Sequence, residues 1–177
     1  MLFRSASCCS RTRTPTTTGP LERSASRSGA ELLGPADEAQ IFAARDQLPP
    51  PQLQEWERPL YEQIIPRVPP PIPVVLARHL RAGDTLDWKI GAELIAAPGH
   101  TPGQLAVWIP NHHTLIAADA LATHDGRPIV GVFNIDPTQA VRSAAKLLEL
   151  APTRLCVGHG ATLTGDAQRM FADSATP

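Results

Sequence analysis

The spacing of apolar positions changes twice along the chain. Between Ala82 and Asp119 they fall in short runs, "AGDTLDW", "AELIAAPG", "GQLAVWIP" and "HTLIAAD", each of strand length and bounded by turn-forming residues. Four such runs in succession predict an antiparallel sheet. From Asp136 the period becomes helical: "DPTQAVRSAAKLLELAP" sets Ala140, Ala144, Leu147 and Leu148 on one face, with Asp136 or Thr138 placed as the cap and Pro152 beyond the end. "TRLCVGHG" then predicts a strand and "TGDAQRMFADS" a last helix. Upstream, "AELLGP" predicts a short buried strand. "PADEAQIFAARDQL" predicts a helix carrying Ile41, Phe42 and Leu48 behind an acidic first turn. Prolines crowd between Pro49 and Pro73, which predicts an extended loop over 49–73. No internal repeat is present.

Composition narrows the class. The chain has 177 residues, 42% of them hydrophobic, and a formal net charge of -1, which fits one globular domain and gives no reason to expect nucleic acid or an acidic membrane as partner. No apolar run is long enough for a membrane-spanning helix. Cys8, Cys9 and Cys156 suit neither a disulfide framework nor a zinc knuckle, so a cytoplasmic protein is expected. Residues 1–28 hold five arginines and one acid, Glu22, with many Ser and Thr, the texture of a disordered tail.

Three residues carry the candidate chemistry. His100, Asp119 and His159 each follow directly on a predicted strand, where a rigid frame presents side chains to a site. Two imidazoles and a carboxylate suit zinc or a similar divalent ion, and a carboxylate can bridge two ions. Taken singly, each also fits a plain turn residue; the repeated placement favours a site.

The runs "AGDTLDWKIGAELIAAPGHTPGQLAVWIPNHHTLIAADAL", "DPTQAVRSAAKLLEL" and "RLCVGHG" resemble the C-terminal half of the metallo-β-lactamase-fold hydrolases, which include glyoxalase II. The resemblance covers about Leu80 to Ala167. It implies an α/β fold, an αββα sandwich truncated here at its N-terminal side. It also implies a two-metal site in which His100 serves one ion, His159 the other and Asp119 the bridge. Zinc is the implied metal, with manganese or iron as alternatives. The implied reaction is attack by a metal-activated hydroxide on an ester, thioester, lactone or phosphoester of a small molecule, with no further catalytic side chain. Where the family commonly has Gly before the Asp, this chain has Ala118, a change in backbone freedom more than in coordination.

The family's other ligands come from an H-x-H-x-D-H motif, and here no histidine precedes His79. In its expected place stands "SCCSRTRTPTTTGPLER". With favourable codons, Arg11 to Thr17 read one nucleotide out of frame give x-His-x-His-Pro-Asp-His, and Cys8 to Ser10 give Leu-Leu ahead of it. Residues 1–17 are therefore expected to be an out-of-frame reading of a metal-binding segment, with the chain from 29 to 177 an incomplete domain. Sequencing the DNA across the first twenty codons checks this: a neighbouring frame without H-x-H-x-D-H rejects it. A second reading follows from the same gap, a non-catalytic remnant or binding module that holds one ion or none. The oligomeric state stays open.

Among the remaining candidates, His124 in "LATHDGRP" reads as a loop residue that could line a substrate pocket. His112 and His113 read as a hairpin turn, Cys156 as core, and Trp56, Trp88 and Trp108 as packing residues.

Overall fold

The computed structural model describes residues 27–68 and 72–174. The expectation for residues 1–17, and nearly all of that for 1–28, lies outside these. The first six strands, all but β2 predicted, are β1 (Leu33–Pro35), β2 (Arg78–Leu80), β3 (Thr85–Leu86), β4 (Ala92–Ala96), β5 (Leu105–Ile109) and β6 (Thr114–Ala118). They are followed by β7 (Leu121–His124), β8 (Arg127–Val130), β9 (Arg154–Val157) and β10 (Leu163–Thr164).

The main sheet has the order β10-β9-β6-β5-β4-β3. As the four successive runs predicted, β3 to β6 pair antiparallel, each with the next. β9 then joins β6 in parallel. Two ribbons complete the strands: β1 with β2, parallel, and β7 with β8, antiparallel.

β5 is buried on both faces, so its alternating side chains divide the core in two. Ala106 and Trp108 join Leu115, Ala117 and Leu155 against α3 (Pro137–Leu148), which contributes Ala144, Leu147 and Leu148. Leu105, Val107 and Ile109 pack on the opposite face with Leu80, Leu86 and Leu94. The helical face predicted for α3 is the buried one, and Asp136 is its cap: its Oδ1 accepts the Gln139 N–H at 2.9 Å. α4 (Ala167–Ser174) adds Ala167 to the first cluster.

Four expectations need correction. The helix expected over 35–48 shrinks to a 3-10 turn, Ala36–Glu38, and one helical turn, α1 (Ala39–Phe42); Ala44 at φ 55° leaves the helical region and stops it. The proline-rich stretch 49–73 is not all loop: it holds α2 (Glu57–Ile64) and the 3-10 turn Ile65–Arg67. Pro59 is tolerated because it falls in the first turn of α2, where backbone N–H groups have no intrahelical acceptor to lose. Trp56 is 62% exposed rather than packed, and Cys156 is only half-buried. The β7–β8 hairpin was not expected at all, although its Asp125-Gly126 turn, with φ of 47° and 73°, is a strong two-residue signal.

Candidate functional site

β4 and β6 both run opposite to β5, and β9 runs parallel to β6, so β4, β6 and β9 point the same way. The residues that follow them therefore emerge at one edge of the sheet. Neighbouring strands lie about 4.8 Å apart, which puts Asp119 and His159 side by side, whereas the loop after β4 must reach back past β5. It does so through Gly99 (φ 135°), which lies flush against the backbone of Ala140 in α3.

The structure brings the three predicted residues together around Asp119. His100 Nε2 lies 3.9 Å from Asp119 Oδ2, and His159 Nε2 lies 3.7 Å from Asp119 Oδ1. Both distances exceed a hydrogen bond. Among the described residues no three His, Cys, Asp or Glu side chains close into a complete metal cluster.

Their environments differ. His100 is buried, and its Nδ1 donates to the Val132 carbonyl at 3.0 Å, which fixes the tautomer with the lone pair on Nε2. That Nε2 is buried and has no hydrogen-bond partner. Burial pulls the imidazole down to about 4, further than the Val132 bond raises it, so at neutral pH the ring is uncharged and makes no ion pair with Asp119. Asp119 is also buried; burial raises its carboxyl to about 6, against the opposing attraction of His159. His159, on the β9–β10 connection, is 74% exposed.

Small residues make room for the carboxylate. A side chain at Gly158 would strike Asp119 Oδ1, and one at Gly131 would strike its carbonyl oxygen. Ala118, just before Asp119, sits at a bulge in β6 with φ 52°, the left-handed region that glycine enters freely. The Ala-for-Gly departure thus falls where backbone freedom is used.

His124 does not join this group. It ends β7 rather than lying in a loop, and its exposed ring reaches Asp125 Oδ2 at 3.4 Å. Its neighbour Thr123 does touch the His159 segment, donating its N–H to the His159 carbonyl at 3.0 Å. His112 and His113 form the expected turn between β5 and β6, with the His113 ring edge-on to Trp108.

Two residues escaped the sequence reading. Glu38 and Glu57 are each 2% exposed. Glu38 Oε1 accepts the Gly103 N–H at 2.9 Å, across the turn from His100, and burial raises its carboxyl against the opposing influence of Thr101 and Gly103. Glu57 Oε1 accepts the Phe133 N–H at 2.8 Å. Nothing local in the sequence marks an acid as buried.

The chain resembles known proteins in sequence and in fold. The sequence model of the metallo-beta-lactamase superfamily matches residues 22–159. The uncharacterized protein YobT of Bacillus subtilis (strain 168) is 32% identical over 101 residues, 51% of this chain and 42% of that protein. The probable metallo-hydrolase YflN of the same organism is 33% identical over 84 residues, 40% of this chain and 32% of its own. The chain thus spans less than half the length of either relative. Among solved structures, TTHA1623 in a di-iron-bound form aligns with TM-score 0.60 at 21% identity, over 93% of this chain and 73% of that one. ST1585 from Sulfolobus tokodaii, an archaeal metallo-beta-lactamase superfamily protein, aligns at 0.57 and 15%, over 85% and 60%. At these identities the two structures speak for the fold alone. With most of its length matched by the family's sequence model, and with a fold shared by these structures, the chain belongs to the metallo-beta-lactamase superfamily.

Proposed function

We propose that the chain carries part of a metal-dependent hydrolase site in which His100, Asp119 and His159 are metal ligands, with zinc the expected ion. The observation that carries this is the buried, partnerless Nε2 of His100, facing Asp119 with its lone pair free. A buried nitrogen without a partner is costly unless something binds it, and a neutral imidazole beside a carboxylate is a donor set zinc accepts. Superfamily membership supports the hydrolase type, and the di-iron form of TTHA1623 makes iron a reasonable alternative metal.

The chain's own residues would act as follows. Val132 holds the His100 ring with its Nε2 lone pair free, where it would serve a bound ion. Asp119, with its carboxyl at about 6, is ionised above that pH and offers one oxygen toward each histidine. His159, exposed, would form the solvent side of the site. A bound ion would supply Lewis-acid activation of water and of the bond to be hydrolysed. Small esters, thioesters, lactones and phosphoesters are the candidate substrates.

A second reading, an inactive remnant or binding module, is favoured by one observation: the chain has no H-x-H and no closed cluster among its described residues. Metal content of the purified chain after zinc loading and dialysis separates the two. About two ions per chain, lost together in His100→Ala, would contradict the remnant; fewer than one would argue against a working hydrolase.

A further inference from the structure

We propose that Glu57 on α2 is a positioning residue for His100, so that the proline-rich segment before the main sheet serves as an orienting clamp for the site. The inference rests in part on the reading of His100 as a metal ligand. Its structural chain is short. Glu57 is buried, and its two carboxylate oxygens accept from two backbones: Oε1 from the Phe133 N–H at 2.8 Å and Oε2 from the Gln54 N–H at 2.7 Å. Phe133 sits at φ 59°, a conformation a bulky residue adopts only when held. One turn along α2, Tyr61 grips the Phe133 side chain, ring edge to ring face at 5.2 Å. The Gln52 N–H donates to the Asn134 carbonyl at 2.8 Å, a further tie from the same segment.

The loop held this way brackets His100. Val132, the residue before Phe133, supplies the carbonyl that accepts from His100 Nδ1. The Ile135 N–H donates to the His100 carbonyl at 3.3 Å, and the Asp136 N–H to that of Gly99 at 2.8 Å. Rotating the peptide between Val132 and Phe133 would withdraw the acceptor from Nδ1, and the ring would lose both its tautomer and its aim. Glu57 binds the N–H of that same peptide. An acid 43 residues before His100 thereby sets which imidazole nitrogen is free.

The test reads the tautomer directly in the metal-free chain. Long-range proton–nitrogen correlation spectra should show wild-type His100 as a single neutral form protonated at Nδ1. In Glu57→Ala, folded by circular dichroism, His100 should shift toward tautomer averaging. Zinc affinity, from competition with a chromophoric chelator, should fall about 10-fold or more, the usual range for losing an outer-shell partner. Glu57→Gln keeps the volume and one acceptor oxygen but turns a donor toward the second N–H, and should fall between the two. A folded Glu57→Ala with the wild-type His100 signature overturns the proposal. Should the Ala variant fail to fold, the Gln variant decides: wild-type signature and affinity there overturn it equally. If wild type binds no zinc, the metal-site reading fails, while the tautomer comparison still decides the role of Glu57.

Discussion

Asp119→Asn is expected to stabilise the metal-free chain by about 3 kcal/mol near pH 7.5, the reverse of what most buried substitutions do. The sign follows from linkage. Burial raises the Asp119 carboxyl from 3.8 to about 6 in the fold, so the folded chain binds its proton more tightly than the unfolded chain does. Its favourable contribution is therefore complete below 3.8 and is lost as pH rises through about 6. Above that, the fold holds a carboxylate poorly compensated by its surroundings, and the neutral, similarly shaped Asn removes the cost. The advantage of Asn should shrink through the same window and vanish below about pH 4. His100, held down to about 4, destabilises both chains as pH falls from 6.5 toward 4. Urea melts of both chains in chelator, from pH 4 to 8, make the comparison. An Asn variant no more stable at pH 7.5, or equally better at every pH, would refute it. Zinc should then reverse the order, because it stabilises only the chain that binds it. A residue that costs stability where it stands, in a packed edge cleared by Gly131 and Gly158, is what the proposed metal-ligand role of Asp119 predicts.

The placement of that residue was legible in the sequence because it depends on local signals. Strand-length runs ending in Gly99-His100, Ala118-Asp119 and Gly158-His159 located the edge, and two reversals around β5 are enough to align β4 with β6. α3 was legible for the same reason, with period, cap and stop lying within one short stretch. What supports the site was not. Glu38 meets Gly103 across 65 positions, and Glu57 meets Phe133 across 76, and each looks in the sequence like an ordinary solvated acid. α2 was hidden by its prolines, since composition pointed to a loop while the position of Pro59 in the first turn left the helix intact. The β7–β8 hairpin was the one miss with a readable local cue, the Asp125-Gly126 turn.

Gly99→Ala should be among the most damaging single substitutions in the chain, costing about 4 kcal/mol. Two effects add. At φ 135° a residue with a β-carbon is strained by about 1–3 kcal/mol. The new methyl would also be driven into the backbone N and Cα of Ala140, atoms that cannot swing aside as a side-chain tip would. Forced overpacking of this kind costs a further 1–3 kcal/mol or so. Gly83→Ala is the control. Its φ is 90°, but nothing lies within 4 Å of the added carbon, so it should lose only the backbone part. The difference between the two variants in chemical denaturation isolates the contact with α3; equal losses would mean that the close approach is not a constraint. The contact matters to the site because the helix is also tied to the turn by two hydrogen bonds. Ser143 Oγ donates to the Pro98 carbonyl at 2.6 Å and the Asp136 N–H to that of Gly99 at 2.8 Å. Pushing Gly99 off Ala140 strains both bonds and moves the next residue, His100, away from Asp119. Zinc affinity should therefore fall in Gly99→Ala even under conditions where the variant is still folded, and should be unchanged in Gly83→Ala. The histidine between two Pro-Gly steps is aimed by the glycine before it, which alone lets the chain lie against the helix.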